Sequence, residues 1–236
     1  MKIFYINKRK LYMIITLLCI IIVFIIFYNV YYKNSEETFK EDVFYKGNTN
    51  ENIIAFACNV DWGNEYIPEM LSIFEEEEIK ITYFVTGKWA EKNEDLLKEI
   101  YSHDHEIGNH GYSHENYGEL GYEANMEGIK KCHEVLNETL DIECKYFAPP
   151  SGSFNDNTIK AAKDLNYDII MWSIDTIDWR DDSTEDKIIN RVLTQAEKST
   201  IVLMHPTEKT IKALPTIIKS LKKEGYSIGK VNQIIK

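Results

Sequence analysis

From Ile53 onward the chain repeats one pattern: a short run rich in β-branched and aromatic residues, then an amphipathic stretch long enough to cross back over a sheet. The strand-type runs fall at residues 53–57, 81–85, 106–108, 146–147, 168–173, 200–204 and 226–228. Between them lie helical patterns at residues 67–74, 91–101, 122–140, 158–165, 184–196 and 210–223. Parallel strands need long crossovers whereas hairpins do not, so this alternation predicts an α/β fold with a parallel sheet. About seven such units fall short of the eight in a full barrel, and the expected architecture is a distorted, incomplete (β/α) barrel.

Ahead of this pattern, the stretch from Leu11 to Tyr28 contains nothing more polar than Thr16 and Cys19. As a helix it would extend about 27 Å, close to the hydrocarbon thickness of a bilayer. Lys8, Arg9 and Lys10 precede it, only Lys33 follows closely, and Tyr28, Tyr31 and Tyr32 sit at its far edge. The positive-inside bias makes residues 1–10 a cytoplasmic basic tail and residues 11–32 an uncleaved transmembrane anchor, with everything after them outside the cell membrane. A cleaved signal peptide fits less well, because the apolar stretch is long and no small-x-small site follows it. Residues 33–52 are polar with little periodicity and read as a stalk, leaving 53–236 as the folded domain.

Charge narrows the partners. All 38 acidic residues lie after position 32, against 23 of the 27 basic ones, so the exterior part carries a net 23 − 38 = −15. Such a body repels nucleic-acid phosphates, and no nucleic-acid partner is expected. Of the four cysteines, Cys19 lies in the anchor. Cys58, Cys132 and Cys144 are an odd number without metal-ribbon spacing, so buried free thiols are expected, with a Cys132–Cys144 bridge as the alternative.

In parallel α/β domains the functional groups collect where strands end. Here the residues following five of the runs are Asn59 to Gly63, His110 to His114, Ala148 to Gly152, Asp175 with Asp178, and His205. His110 and His114 are spaced i, i+4, but Gly108, Asn109 and Gly111 argue against a helix there, and the absence of a Glu after His110 excludes an HExxH metalloprotease. Two imidazoles with one carboxylate and open positions for water form a known catalytic metal arrangement, and Asp61 is the nearest candidate carboxylate.

Taken in order, Asn59-Val60-Asp61-Trp62-Gly63, His110-Gly111-Tyr112-Ser113-His114, the Phe-Ala-Pro-Pro-Ser-Gly run ending at Gly152, the segment from Trp172 to Trp179 and Leu203-Met204-His205 resemble the polysaccharide deacetylases of carbohydrate esterase family four. The similarity runs from about Ile53 to the C-terminus and is nearest the subgroup associated with spore formation and cell-wall modification. It implies a barrel-derived fold with one divalent metal, usually zinc, with cobalt or another first-row metal as alternatives. The implied reaction removes N-acetyl groups from cell-wall glycan, either peptidoglycan or a chitin-like N-acetylglucosamine polymer. By resemblance, His110, His114 and Asp61 match the metal ligands. The metal would polarise the acetamide carbonyl and activate its bound water. His205 matches the general acid that protonates the departing amine. Leu203 would line the pocket for the acetate methyl, while Tyr112, Pro149 and Trp179 would flank the sugar.

Two positions depart from the family pattern. The catalytic base, an Asp in relatives, falls at Asn59, and an amide cannot take a proton from water at neutral pH as a carboxylate does. The Arg that orients that base, itself held by an Asp matching Asp175, falls at Ala148. Either the base is rewired to Asp61, Glu65 or Asp175, or the chain is a catalytically weak or inactive glycan-binding protein. A register in which Asp61 is the base leaves a metal only the two histidines.

Overall fold

A computed structural model of the chain describes residues 8–40 and 43–235, apart from the side chains of residues 10, 11, 14, 27 and 29–40. Most of the expected basic tail, and the side chains of Tyr31, Tyr32 and Lys33, therefore lie outside the described residues. The chain divides into two compact units, one holding the first helix and the other beginning at position 42.

The described part of the first unit is one helix, α1 (Lys8–Lys40), which contains the whole apolar run. Its described apolar side chains are exposed, Phe24 at 73% among them. Over the described residues no helix is long and apolar enough to cross a membrane. The expectation of a span over residues 11–32 thus meets a helix but not an established crossing.

The second unit runs β1 (Val43–Phe44), β2 (Ile53–Val60), α2 (Ile67–Glu76), β3 (Thr82–Val85), α3 (Gly87–Lys92), α4 (Glu94–Ser102), β4 (Glu106–Asn109), α5 (Tyr122–Leu140) and β5 (Tyr146–Phe147). It continues with α6 (Asp156–Asp164), β6 (Asp168–Ile170), β7 (Ile174–Asp175), α7 (Glu185–Gln195), β8 (Ile201–Met204), α8 (Glu208–Lys223) and β9 (Ser227–Gly229). The strands pair in parallel in the order β1-β6-β5-β4-β3-β2-β8-β7, with β9 beside the start of β2. This is the expected α/β architecture, a curled parallel half-barrel.

Each of the seven expected strands is present, with two changes. The run at 168–173 holds β6 in its first half only, and a second strand, β7, begins just after it. β6 pairs with β5 and β1, whereas β7 pairs with β8. Between them the Met171 N–H donates to the Phe44 carbonyl at 2.8 Å and the Ser173 N–H to the Ile201 carbonyl at 3.1 Å, so the chain changes neighbours there. An apolar run signals burial without naming the neighbour that provides it. The expected helix at 91–101 is likewise divided into α3 and α4 at Asn93, whose side chain donates to the Trp89 carbonyl at 2.8 Å.

The stalk expectation for 33–52 is corrected. Helix α1 takes up its first part to Lys40, and from Val43 the chain belongs to the domain. β1 pairs with Ile169 and Ile170, and Lys46 forms an antiparallel bridge with Thr200. The Gly47 and Asn48 N–H groups donate to the carbonyls of Ser199 and Ile234. A Cβ on Gly47 would lie 2.6 Å from the Ile234 carbonyl oxygen, so only glycine allows the backbones this close. A strand of two residues has no period to read, which is why the sequence pattern missed it. Deleting residues up to Asn52 is expected to lower the urea midpoint substantially relative to a chain beginning at position 42. Identical midpoints would show that residues 43–52 are a mere tether.

Alternation along β2 places Ala55, Ala57 and Asn59 on one face. Ala55 and Ala57 join Phe84, Ala148, Ile170 and Ile201 in an inner cluster closed from below by Val231, Ile234 and Ile235. The C-terminal residues thus fill one end of the half-barrel. The other end, where the strands finish, is left for side chains that follow them.

Candidate active site

At that open rim lies a cavity of about 420 Å³. Asn59, Asp61, His110, His114, Asp175, Trp179, Leu203 and His205 all line it, brought together from four strand ends. Tyr112 and Pro149 do not. The Tyr112 hydroxyl donates to Glu91 at 3.0 Å and its ring lies 3.7 Å from the Lys131 ammonium, outside the cavity, while Pro149 is buried behind the loop. Trp62, Ser151 and Trp172 take the wall positions expected for those two.

His205 follows β8 and is held on two sides. Its backbone N–H donates to Asp178 Oδ2 at 2.7 Å and its ring Nδ1 meets Asp178 Oδ1 at 2.8 Å. A carboxylate only accepts, so Nδ1 carries the proton and Nε2 is left for the cavity. Asp178 is 1% exposed and also accepts the Thr210 hydroxyl at 2.6 Å. The Trp62 indole stacks on the imidazole at 6.0 Å with the rings 5° from parallel. Trp62 reaches that position because Gly63 turns the chain with φ +83, where a Cβ would collide with the Pro206 carbonyl. The imidazole is thereby held in one orientation.

Asp175 has a different role from the one expected. No Arg stands at position 148 for it to hold, and its Oδ1 instead accepts the Ile177 N–H at 2.7 Å. Ile177 sits at φ +54, a left-handed conformation that costs a β-branched residue of order 1–3 kcal/mol. Asp175 therefore braces a strained turn whose next residues are Asp178 and Trp179. It is a positioning residue for Asp178 and for the cavity wall.

His110 follows β4 in a loop rather than a helix, as the flanking glycines and Asn109 implied. Its Nδ1–H donates to the Ala148 carbonyl at 2.6 Å, which leaves Nε2 as a lone-pair donor. Burial is the main cause that pushes its pKa down to about 3, with neighbouring His114 and His205 adding to the shift, so the ring is neutral. The His114 ring lies 5.4 Å away. A neutral His110 imidazole with its Nε2 lone pair free thus lies beside the His114 ring. The third expected ligand has another partner. Asp61 Oδ1 is engaged by the Thr86 hydroxyl at 2.6 Å, and among the described residues no group of three or more His, Cys, Asp or Glu side chains could hold a metal ion. The residues as placed do not fit the Asp61-His110-His114 centre that the resemblance implies.

The base position is equally incomplete. Asn59 is 5% exposed and its Oδ1 has no hydrogen-bond partner among the described residues. Ala148 lies in the apolar inner cluster and carries no charge to offer. A neutral amide is the side chain that such a site tolerates, because a buried carboxylate with no cation beside it is far costlier. The three outer cysteines are free and buried. Cys132 and Cys144 point their thiols at different backbone carbonyls, those of Val85 and Ile107.

Sequence reasoning placed Asp178 among the strand-end groups without giving it a role, and passed over Trp62 as a wall. Asp178 was legible as the second acid of the Asp-Thr-Ile-Asp-Trp run, while Trp62 had no signal beyond lying next to Asp61.

A curled parallel half-barrel with an oriented histidine facing two imidazoles across a rim cavity defines a hydrolase-type scaffold. Residues 46–170 match the family model for polysaccharide deacetylase. The chain is 37% identical over 84% of its length to the uncharacterized protein YlxY of Bacillus subtilis, and 34% identical over 68% of its length to a peptidoglycan-N-acetylglucosamine deacetylase of Bacillus cereus. The matches span 62% and 60% of those relatives' own lengths. Among solved structures it is similar to BA3943 of Bacillus anthracis, described as a CE4 family pseudoenzyme, with a TM-score of 0.79 and 36% identity, covering 82% of this chain and 69% of that one. A mutant of that protein, described as having restored enzymatic activity, matches with the same TM-score at 34% identity, covering 82% of this chain and 71% of the mutant. The chain belongs to the polysaccharide deacetylase family, CE4.

Proposed function

We propose that this protein binds N-acetylated peptidoglycan glycan in the rim cavity without releasing acetate at an appreciable rate. The observation that carries this reading is Asn59, an amide with an unpartnered buried oxygen where the reaction needs a proton acceptor, coupled to the loss of Arg at Ala148. The exposed indoles of Trp62 and Trp179 on the cavity wall suit the apolar faces of a sugar ring. A hydrolytic reading draws instead on the His205–Asp178 pair and on Asp61, whose second oxygen could serve as a rewired base.

The full chain in detergent is expected to bind N-acetylglucosamine oligomers and peptidoglycan strands and to free no acetate above background. Acetate release that disappears in His205→Ala would establish the hydrolytic reading instead. Zinc suits imidazole donors, but His110 and His114 alone make a weak, open site. Zinc added to the full chain is therefore expected to be lost on dialysis. One equivalent retained, and lost in His110→Ala, would reinstate Asp61 as the third ligand.

The location belongs to the same reading. In it the apolar stretch of residues 11–32 serves as a single-pass membrane anchor, with the N-terminus cytoplasmic and the chain after it on the wall side. Supporting this are the length of the apolar run, the Lys8-Arg9-Lys10 cluster before it, and Thr16, whose hydroxyl bonds back to the Tyr12 carbonyl at 2.9 Å and so needs no water.

A further inference from the structure

A chain of hydrogen bonds leads from the turn that carries His110 to the surface of α5. The Gly111 N–H donates to Asn109 Oδ1 at 2.8 Å. The Nδ2 group of Asn109 donates to the Ile129 carbonyl at 2.8 Å and to the Tyr167 hydroxyl oxygen at 3.3 Å. Asn109 is fully buried, and both ends of its amide are thereby engaged. The Tyr167 hydroxyl lies 2.8 Å from His133 Nδ1, and His133 Nε2 lies 3.4 Å from Glu143 Oε2. Asn109, Tyr167 and His133 do not line the rim cavity, yet Asn109 braces the turn at Gly111, where φ is +77.

The direction of these bonds fixes the charge that His133 can carry. An amide N–H only donates, so Tyr167 accepts from Asn109 and gives its own hydrogen to the acceptor beside it, His133 Nδ1. Nδ1 is therefore bare and the ring proton sits on Nε2, facing Glu143. Tyr167 is 3% exposed, and burial raises its pKa, so the phenol keeps its proton. A second proton on His133 would turn Nδ1 into a donor. The Tyr167 O–H would then have no acceptor among the described residues, and a buried hydroxyl left in that state is costly. Glu143 favours the second proton, but its side chain is 76% exposed and water screens it. Beyond Tyr167 stand the Cys132 and Cys144 thiols, which burial keeps protonated. On α5 itself Lys130 pairs with Glu134. The elements packed on α5 make their bonds elsewhere: Lys98 with Glu94 on α4, Lys160 with Asp164 on α6, Glu91 of α3 with the Tyr112 hydroxyl and Glu106 of β4 with the Thr82 hydroxyl.

We propose that protonation of His133 slackens the turn carrying His110, so that the cavity holds its ligand less tightly as pH falls through the range in which histidines titrate. The relay accepts only the neutral ring. When the second proton arrives, either the imidazole swings out toward Glu143 or the Tyr167 hydroxyl turns against the Asn109 N–H, and in both cases Asn109 loses part of its hold on Gly111. His133, Tyr167 and Asn109 are thus positioning residues acting on the site from behind. The effect on the turn stands on these bonds alone, while the effect on affinity rests on the reading of the cavity as a glycan site.

The test labels the asparagines of the full chain in detergent with nitrogen-15 and follows hydrogen exchange of the Asn109 side-chain amide at about pH 8 and about pH 5, the limits between which histidine changes charge. Calorimetry with N-acetylglucosamine oligomers runs alongside. His133→Gln keeps an acceptor for the Tyr167 hydroxyl and does not titrate, so it is the reference at each pH. Its exchange carries the ordinary effect of pH, and its binding carries whatever His114 and His205 contribute. Relative to that reference, the natural chain is expected to match at the higher pH. At the lower pH its Asn109 amide should exchange about tenfold faster and its affinity should be about threefold weaker. Tyr167→Phe, which removes the hydroxyl from Asn109, should show fast exchange at both pH values. Identical behaviour of the natural chain and His133→Gln at the lower pH overturns the relay, and faster exchange without weaker binding overturns its link to the cavity. If no oligomer binds at either pH, the glycan reading falls and the exchange measurement alone decides the relay.

Discussion

Asn59→Asp alone is expected to lower stability at pH 7 by about 3 kcal/mol, because it places a carboxylate in a buried position with no cation beside it. The sign of the pH dependence follows from burial. Desolvation would raise the pKa of the new carboxyl above its unfolded value, so the penalty is absent in acid and grows as pH rises through the folded-state pKa. Ala148→Arg alone also destabilises, since it forces a long charged chain into the apolar inner cluster. Together the two changes are expected to cost less than their sum by about 2 kcal/mol, each supplying the partner that the other lacks. Urea unfolding of the four proteins measures this coupling, and a value near zero would show that positions 59 and 148 do not answer one another. The double variant should also release acetate from N-acetylglucosamine oligomers at least about 100-fold faster than the parent, the contribution usual for a placed general base. Restored coupling without that gain would locate the remaining defect at the unassembled third-ligand position.

Asp178→Ala is expected to cost about 4 kcal/mol, comparable to deleting a large core side chain. Its carboxylate satisfies three donors at once, the His205 backbone N–H, the His205 ring and the Thr210 hydroxyl, at distances of 2.6 to 2.8 Å. Removal leaves all three buried or half-buried without an acceptor. Asp178→Asn should recover part of the loss, since one oxygen still accepts while the amide N–H₂ confronts groups that are themselves donors. The imidazole would lose the orientation that Trp62 stacks against, so the His205 ring-proton resonance is a second readout that simple destabilisation would not move. A stability loss under about 1 kcal/mol would mean that water replaces the carboxylate and that the acid is not rigidly held.

The two variants probe opposite halves of one site. The His205 half is fully braced, from the strained Ile177 turn through Asp178 to His205. The base half is empty of charge, and an unpaired buried carboxylate there would be unstable without its cation. Losing both members together is physically cheaper than losing either one, which explains how Asn59 and Ala148 can coexist in an otherwise well-ordered cavity.

Much of this was present in local pattern. Strand runs, crossover helices and the clustering of Asn59, His110, Asp175 and His205 after strand ends depend only on periodicity and chain direction, which a linear string records. Burial of the cysteines as free thiols followed from their number and spacing. Three things did not. That Val43–Phe44 is a strand depends on the edge of β6 being available to pair with it. That Tyr112 and Pro149 turn away while Trp62 and Ser151 face the cavity depends on how loops settle on neighbouring helices. That Asp61 Oδ1 accepts the Thr86 hydroxyl depends on a residue 25 positions along the chain. Sequence determines which groups the rim can receive, because strand runs and their alternation are local properties. Which of those groups meet is decided only by tertiary packing, because hydrogen bonds and close contacts are made between residues that no spacing rule connects.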